Sequence, residues 1–323
     1  MNVGVTADLR GADGRPAYDL SLLDERADID WEWMGGGREL APADLEPYDA
    51  IVLFQRHVTA ASLRGVERLR LIARLGVGVD NIDVAACTAA GVLVTTTPDS
   101  VRRPMASGGM AFVLALAHRL TEMDRHVRAG GWDRFAHVGL GLDGRTLGIV
   151  GLGNVGRDLA SLAAPFGLRI VAADPFVTEP PEGVELVALD TLLATADFVV
   201  VTCPLTEETY HLLDADRLAL MQPTAYLVNI ARGPIVDGAA LADALAAGRP
   251  AGAALDVFEP EPVRADDQLL TLDNVILAPH GIGLTDELFR LGGQSASRAV
   301  LAVADGRVPE FPLNPAVIAR GPD

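Results

Sequence analysis

Lysine is absent from this chain of 323 residues, so all 26 basic residues are arginines. The absence excludes enzymes that need a Schiff-base lysine, a lysine general base or the lysine of a phosphate-binding P-loop. Cysteine is also scarce, because Cys87 and Cys203 are the only two. Two cysteines are too few for a disulfide framework, and we expect a protein of the reducing cytoplasm.

Positive charge and long apolar runs are scarce as well. Acidic residues outnumber basic ones by 44 to 26, which gives a formal net charge of −18. Such a chain is a poor partner for nucleic acid or for an anionic membrane surface. No apolar run reaches the roughly 18 residues of a membrane helix, and we expect no export signal. An anionic substrate would therefore need a local cationic site to attract it against the net charge.

Short apolar runs alternate with helical patterns along the chain. The runs are about five residues long and mostly unalternated, which is typical of parallel strands covered on both faces. They include residues 50–54, 71–75, 147–150, 198–201 and 226–229. We expect one long helix from about Pro104 to the turn at Gly130 and another over about 286–305. The pattern and the chain length predict an α/β protein of two domains with doubly wound parallel sheets.

A glycine-rich turn follows the predicted strand at 147–150 and begins a helix. Its sequence is Gly151-Leu152-Gly153-Asn154-Val155-Gly156. In a dinucleotide site the first glycine permits the tight turn, the second lets the backbone approach the pyrophosphate, and the third lets the helix pack on the strand. Asp174 ends the next strand at roughly the 20-residue spacing of a ribose-binding carboxylate. Because that carboxylate would repel the 2′-phosphate of NADP, we predict NAD as the cofactor.

Three further segments follow predicted strands, at the edge where open α/β sheets bind ligands. They are residues 229–233, 256–262 and 278–281. Together they supply one arginine, several carboxylates and one histidine. An arginine fork can bind a carboxylate and polarise a keto oxygen, and a histidine can donate a proton as hydride arrives. A carboxylate behind the histidine fixes its tautomer and favours its charged form. The set suits the reduction of a 2-keto acid.

The chain resembles the D-isomer-specific 2-hydroxyacid dehydrogenase family over nearly its full length. The matching stretches are residues 76–83, the glycine turn, 203–206, 229–237, 256–262 and 279–280. The resemblance implies two Rossmann-like domains with the active site in the cleft between them. Residues 1–100 and 288–323 would form a flavodoxin-like substrate-binding domain, and residues 101–287 the NAD-binding domain. It also implies a homodimer that acts on a small 2-keto or 2-hydroxy acid.

The resemblance also implies roles for single residues. Arg232 would bind the substrate carboxylate and carbonyl, and Glu261 would pair with His280, the acid/base. Glu259 is close and acidic but stands at the wrong place in the motif. The backbone amides of Val77 and Gly78 would meet the substrate carboxylate. Cofactor contacts are expected from Gly151, Gly153, Asn154, Val155, Gly156, Asp174, Cys203, Pro204, Ile230, Ala231 and Asp256, the last through the nicotinamide carboxamide.

Several positions leave alternatives open. Ser107 stands where the family commonly has a carboxylate, and Arg102 and Arg103 before it either attract an anionic substrate group or pair with surface carboxylates. Gln55 and Arg56 lie where the family tunes specificity. Glyoxylate, hydroxypyruvate and longer 2-keto acids all stay open, whereas the presence of Glu261 disfavours formate oxidation. No His/Cys/carboxylate spacing suggests a metal. The alternative function is that of an NAD(H)-sensing corepressor that binds partner peptides with the same fold.

Overall fold

The structure is a computed structural model that describes residues 1–320. Contacts divide the chain into two compact units. The first comprises Met1–Val101 and the residues from Leu284 onward, and the second comprises Arg102–Gly283. The sequence placed the return to the first unit at residue 288. In the structure the return comes at Leu284, just before Thr285, whose side chain accepts the N–H of Leu288 and caps the last helix.

The strands and the α-helices of the described residues are numbered in chain order. The strands are β1 (Asn2–Thr6), β2 (Asp30–Met34), β3 (Ala50–Leu53), β4 (Leu71–Arg74), β5 (Leu93–Thr95), β6 (Thr146–Val150), β7 (Arg169–Ala173), β8 (Val184–Leu186), β9 (Phe198–Val201), β10 (Tyr226–Asn229), β11 (Gly252–Leu255) and β12 (Val275–Leu277). The helices are α1 (Ser21–Asp24), α2 (Pro42–Leu45), α3 (Val84–Ala89), α4 (Pro98–Ala117), α5 (Leu120–Arg128), α6 (Asn154–Ala163), α7 (Leu189–Thr195), α8 (Ala215–Leu220), α9 (Gly238–Ala246) and α10 (Asp286–Ala304).

The first unit contains a five-stranded parallel sheet in the order β2-β1-β3-β4-β5. This order is that of flavodoxin-like folds. Both faces of the sheet are covered, because Ala50 and Val52 belong to one apolar cluster and Ile51 and Leu53 to another. Burial on both faces explains why β3 has no polar alternation in the sequence.

The second unit contains a seven-stranded parallel sheet in the order β12-β11-β10-β9-β6-β7-β8. Phe198 and Val200 of β9 face one apolar cluster, and Val199 and Val201 face the other. Within this unit, β7 and β8 follow β6 on one side of it, and β9 to β12 then follow on its other side. The strand order therefore reverses between β6 and β9, and ligands bind at such a switch point. The predicted α/β class with two doubly wound parallel sheets is confirmed.

Two short strands escaped prediction. β2 lies at an edge, and its residues alternate between exposed and partly buried, so it lacks the continuous apolar run of a central strand. β8 has only three residues at the opposite edge of the other sheet. Edge strands are covered by fewer neighbours, and their sequences carry a correspondingly weaker hydrophobic signal.

The expected long helix from Pro104 to Gly130 was wrong in its start and in its continuity. α4 begins at Pro98, where proline suits the first turn, and Pro104 lies inside it. The helix ends at Ala117 because Arg119 has a φ of 52°, in the left-handed region, and α5 begins after it. Among the described residues no helix is long and apolar enough to span a membrane.

Candidate active site

The glycine turn joins the end of β6 to α6. Gly151 has a φ of 95°, and a Cβ on it would lie 2.6 Å from the Cα of Cys203. A Cβ on Gly156 would collide with the carbonyl oxygen of Gly151, so glycine is required for α6 to pack closely on β6. A Cβ on Gly153 would meet no atom within 4 Å. The backbone at Gly153 is therefore open to the close approach of a ligand.

The first turn of α6 offers hydrogen-bond donors to such a ligand. Asn154 and Val155 begin the helix, and the N–H groups of a first turn have no acceptor within the helix. Asp174 follows β7, where its Oδ2 accepts the N–H of Leu152 at 2.8 Å and its Oδ1 accepts the N–H of Phe176 at 2.9 Å. Asp174 is thereby fixed beside the glycine turn. Helix N–H groups for phosphates and an adjacent carboxylate for ribose hydroxyls form a dinucleotide site.

The loop after β9 lies against the glycine turn. The hydroxyl of Thr202 donates to the carbonyl of Gly151 at 2.6 Å, and the hydroxyl of Thr209 donates to the carbonyl of Pro204 at 2.7 Å. Burial raises the pKa of the Cys203 thiol to about 11. The thiol is therefore protonated at neutral pH, which suits a cofactor contact and not a thiolate nucleophile.

Asn229 shapes the turn that carries Arg232. Its Oδ1 accepts the N–H of Ala231 at 3.1 Å, and its Nδ2 donates to the carbonyl of Arg232 at 2.9 Å. Ile230 and Ala231 lie within this turn, and Nη1 of Arg232 donates to the carbonyl of Ala231 at 2.8 Å. Asn229 stands in the segment 229–233, but no role was predicted for it from the sequence. Its place at the end of β10 was the available signal, because asparagine favours turns through such side-chain bonds.

Gly233 brings the loops after β10 and β11 together. A Cβ on Gly233 would overlap the backbone of Phe258, so no other residue fits between the two loops without moving one of them. Arg232 precedes this contact, and Glu261 follows it in the second loop. The close approach of the two backbones therefore places the arginine and the carboxylate loop at the same sheet edge.

Glu261 and His280 form a hydrogen-bonded pair. Nδ1 of His280 lies 2.7 Å from Oε2 of Glu261, while Oε1 accepts the N–H of Phe258 at 3.1 Å. Burial is the largest influence and acts to raise the pKa of Glu261. The hydrogen bond and charge of His280, the Phe258 amide and the charge of Arg232 together outweigh it, and the pKa lies below its usual range.

Glu261 is therefore a carboxylate at neutral pH, and it accepts the N–H of Nδ1. The other ring nitrogen of His280, Nε2, is left to meet a substrate. The side chain of His280 is 46% exposed and that of Glu261 is 37% exposed, so the pair is accessible from solvent.

Asp256, which is 1% exposed, holds the loop that carries His280. Its carbonyl accepts the N–H of His280 at 2.8 Å, and its Oδ1 accepts the N–H groups of Gly281 at 2.8 Å and Ile282 at 3.0 Å. These bonds fix His280 at a φ of 51°, in the left-handed region. Burial raises the pKa of Asp256 against the opposing effect of the two amides. Its Oδ2 is buried and has no hydrogen-bond partner among residues 1–320.

In the first unit, Val77 and Gly78 lie in the loop after β4. Gly76 opens this loop with a φ of 106°; its N–H donates to Oγ1 of Thr97 at 2.8 Å, and its carbonyl accepts the N–H of Thr97 at 3.0 Å. No acceptor within the described part of the chain takes the N–H of Val77 or Gly78. Val77 is exposed. The loop can thus offer two adjacent donors to an anion. Thr97 belongs to no motif, so its role was not predictable from the sequence.

Glu259 belongs to a different cluster from Glu261. Its Oε2 lies 2.8 Å from Nε2 of His211, and its Oε1 accepts the hydroxyl of Tyr210 at 3.2 Å. The two glutamates, separated by one proline, therefore contact different histidines. Among residues 1–320 no group of three or more histidine, cysteine and acidic side chains could hold a metal ion.

Arg102 and Arg103 pair with the buried carboxylate of Asp158 on α6. Nε of Arg102 lies 3.6 Å and Nε of Arg103 lies 3.0 Å from its two oxygens. Of the two alternatives for these arginines, the geometry favours ion pairing over attraction of a substrate group. The partner differs from the expected one, because Asp158 is buried and not a surface carboxylate. Ser107 donates its hydroxyl to the carbonyl of Pro104 at 2.9 Å, one turn earlier in α4.

The loop after β3, at Gln55 and Arg56, is attached to Asp8. The N–H of Gln55 donates to Oδ2 of Asp8 at 2.7 Å, and Nε of Arg56 lies 3.7 Å from its Oδ1. Asn81 fixes the same loop by donating to the carbonyl of Arg56 at 2.6 Å. The charge of Arg56 is therefore balanced within the unit.

Comparison with known proteins relates this geometry to a family. Residues 110–281 match the family model described as D-isomer specific 2-hydroxyacid dehydrogenase, NAD binding domain. The chain is 38% identical over 317 residues to a glyoxylate reductase of Korarchaeum cryptofilum, covering 95% of this chain and 96% of that protein. It is 39% identical over 276 residues to a D-3-phosphoglycerate dehydrogenase of Archaeoglobus fulgidus, but covers only 52% of it.

A solved structure gives the same result. The D-lactate dehydrogenase of Aquifex aeolicus, in complex with NAD and lactic acid, matches with a TM-score of 0.85 at 27% identity. The match covers 100% of both chains.

Proposed function

Because this chain belongs to the D-isomer specific 2-hydroxyacid dehydrogenase family, we propose that it interconverts a small 2-keto acid of the glyoxylate or hydroxypyruvate type and the corresponding 2-hydroxy acid. It is an NAD-dependent oxidoreductase acting on CH–OH groups. The hydrogen bond between Nδ1 of His280 and Oε2 of Glu261 carries the proposal, because it leaves Nε2 for a substrate oxygen. Arg232, Glu261 and His280 are the proposed catalytic residues.

The residues of the second unit fit NAD. The open backbone at Gly153 and the first turn of α6 would receive the pyrophosphate, and Asp174 would accept the adenosine ribose hydroxyls. Oδ2 of Asp256 would accept the carboxamide N–H of the nicotinamide, since it is buried without a partner among the described residues. Ile230, Ala231, Cys203 and Pro204 would line the site. When bound, NADH supplies the hydride.

In the proposed reduction, Arg232 binds the substrate carboxylate and polarises its keto oxygen. Protonated His280 donates its Nε2 proton to that oxygen as the hydride reaches C2, and Glu261 stabilises the charged imidazole before the transfer. The left-handed backbone of His280 orients its Cα–Cβ bond, and the hydrogen bond to Glu261 orients the ring. In the oxidation of a hydroxy acid, neutral His280 takes the proton back at Nε2.

The relatives favour a short substrate. The chain is 38% identical over 317 residues to the Korarchaeum glyoxylate reductase. Arg56, a candidate for reading a charged group on C3, is balanced by Asp8. We therefore rank glyoxylate and hydroxypyruvate above substrates that carry a phosphate.

The test is NADH oxidation with glyoxylate, hydroxypyruvate, pyruvate and 3-phosphohydroxypyruvate. We expect turnover with the first two, and His280→Ala should lower kcat by two to four orders of magnitude, about the contribution of general acid catalysis, with an unchanged Kd for NADH. His118→Ala, on an exposed histidine, is the matched control. If no keto acid is reduced although NADH binds tightly, the enzyme proposal fails and the corepressor alternative is favoured.

A homodimer and a place in the cytoplasm are further proposals. Trp132 and Phe135, after α5, are 79% and 83% exposed, and a second copy would cover such an apolar surface. Both cysteines are free thiols, as in proteins of a reducing compartment. Light scattering during gel filtration would measure the oligomeric state.

A further inference from the structure

The loop that offers the N–H groups of Val77 and Gly78 is held from two sides. Thr97 binds both the N–H and the carbonyl of Gly76. Because the peptide bond is planar and trans, the N–H of Val77 points away from the Gly76 carbonyl and hence away from Thr97. On the other side, the carbonyl of Gly78 accepts a hydrogen bond from Nε of Arg74 at 3.0 Å. The carbonyls of Gly76 and Gly78 are thus held toward Thr97 and Arg74, respectively.

Arg74 is the last residue of β4, and its guanidinium lies directly against this loop. Its Nη1 is fully enclosed and lies 3.3 Å from where a Cβ on Gly76 would stand. The ring of Phe54, whose centroid is 5.7 Å from Cζ of Arg74, covers another side. The guanidinium is therefore bonded to Gly78 and lies beside Gly76, and aromatic packing holds it in place.

The positive charge of Arg74 lies close to the N–H groups that would bind an anion. The chain carries a formal net charge of −18, and Asp80 is a further acidic residue in the same loop region. An anion near Val77 and Gly78 therefore needs a nearby cation. A partly buried guanidinium is screened less by water and salt than an exposed one, so its attraction acts over the width of the loop.

We propose that Arg74 is a positioning residue for the substrate carboxylate, one that orients the Gly76–Gly78 loop and supplies the cation behind it. The inference rests on the proposed function and on the role that the family resemblance implies for the amides of Val77 and Gly78, which would meet that carboxylate together with Arg232. Arg74 acts through the loop backbone, so it supports binding more than the chemical step. Its loss should raise KM for an acid without a comparable fall in kcat.

The experiment compares Arg74→Met, Arg74→Lys and Arg68→Met with the wild-type protein. Arg68, an exposed arginine of the same unit paired with Asp49 at 2.9 Å, controls for the loss of one positive charge. With glyoxylate we expect Arg74→Met to raise KM at least tenfold and to lower kcat less than threefold. Arg74→Lys should recover part of the loss because it keeps the charge, and Arg68→Met should match the wild type.

Methyl glyoxylate distinguishes positioning of the carboxylate from general damage. It lacks the negative charge, so Arg74→Met should leave its kcat/KM within threefold of the wild type while the value for glyoxylate falls tenfold. Equal losses for acid and ester, or an unchanged KM for glyoxylate, would overturn the proposal.

A wild-type protein that reduces no keto acid would overturn the proposed function instead. Arg74 is then judged by calorimetric titration of oxalate into the NADH-loaded protein. Tenfold weaker binding to Arg74→Met than to Arg68→Met supports the positioning role, and equal or absent binding refutes it.

Discussion

The substitution Glu261→Gln tests how the carboxylate acts on His280. Glutamine keeps an oxygen that can accept the Nδ1 proton but removes the negative charge, so the geometry is retained while the electrostatic support of the protonated imidazole is lost. By linkage, the same interaction that lowers the pKa of Glu261 favours the charged form of His280. Without that charge the protonated imidazole loses its partner, and reduction should fade at a lower pH.

The magnitude follows from the exposure of the pair. Exposed ion pairs contribute about 0.2–1 kcal/mol, and hydrogen bonds to charged groups about 1.5–3 kcal/mol. The 2.7 Å contact joins side chains that are 46% and 37% exposed, and we discount it for screening to about 1 kcal/mol. Losing this stabilisation should lower the pH above which reduction fades.

The assay is kcat/KM for glyoxylate reduction between about pH 5 and pH 9, where histidine titrates. Glu259→Gln is the matched control, because that residue contacts His211 and Tyr210. We expect its pH profile to coincide with that of the wild type. An unmoved profile in Glu261→Gln, or an equal shift in both variants, would show that Glu261 does not act on His280 through its charge.

Two predictions concern the cofactor site and the loop contact. Asp174→Ala should lower the ratio of kcat/KM for NADH to that for NADPH at least tenfold, a change of about 1.4 kcal/mol, because the carboxylate that repels a 2′-phosphate is gone; an unchanged ratio would refute its ribose role. Glu185→Gln, on β8, is its control. Gly233→Ala should cost about 1–3 kcal/mol, and so several degrees in the melting temperature, because its Cβ overlaps Phe258. Gly238→Ala, where a Cβ meets nothing within 4 Å, should leave the melting temperature unchanged or raise it slightly; equal melting temperatures for the two variants would contradict the contact.

Features that depend on a few neighbouring residues were predictable from the sequence. The turn from Gly151 to Gly156 is such a case, because each glycine answers a local backbone requirement. The central strands were predictable for a related reason: a strand buried on both faces must be apolar throughout, as β3 and β9 are. The edge strand β2 lacks that constraint and was missed.

Contacts between distant parts of the chain were decided by the tertiary structure. The sequence shows Glu259 and Glu261 in nearly identical surroundings, each before a proline, and only family resemblance separated them. In the structure β11 and β12 pair in parallel, and the loop after β12 presents His280 to Glu261. The partner of Arg103 is likewise Asp158, on a helix more than fifty residues away in the chain.

The sequence by itself determined which segments form buried parallel strands and where a dinucleotide can approach the backbone, because both follow from local volume and backbone freedom. The tertiary structure decided which charged groups meet. A carboxylate and an imidazole interact strongly only within a few ångströms, and that separation is set by strand order and by close contacts such as Gly233 against Phe258. No local pattern encodes it.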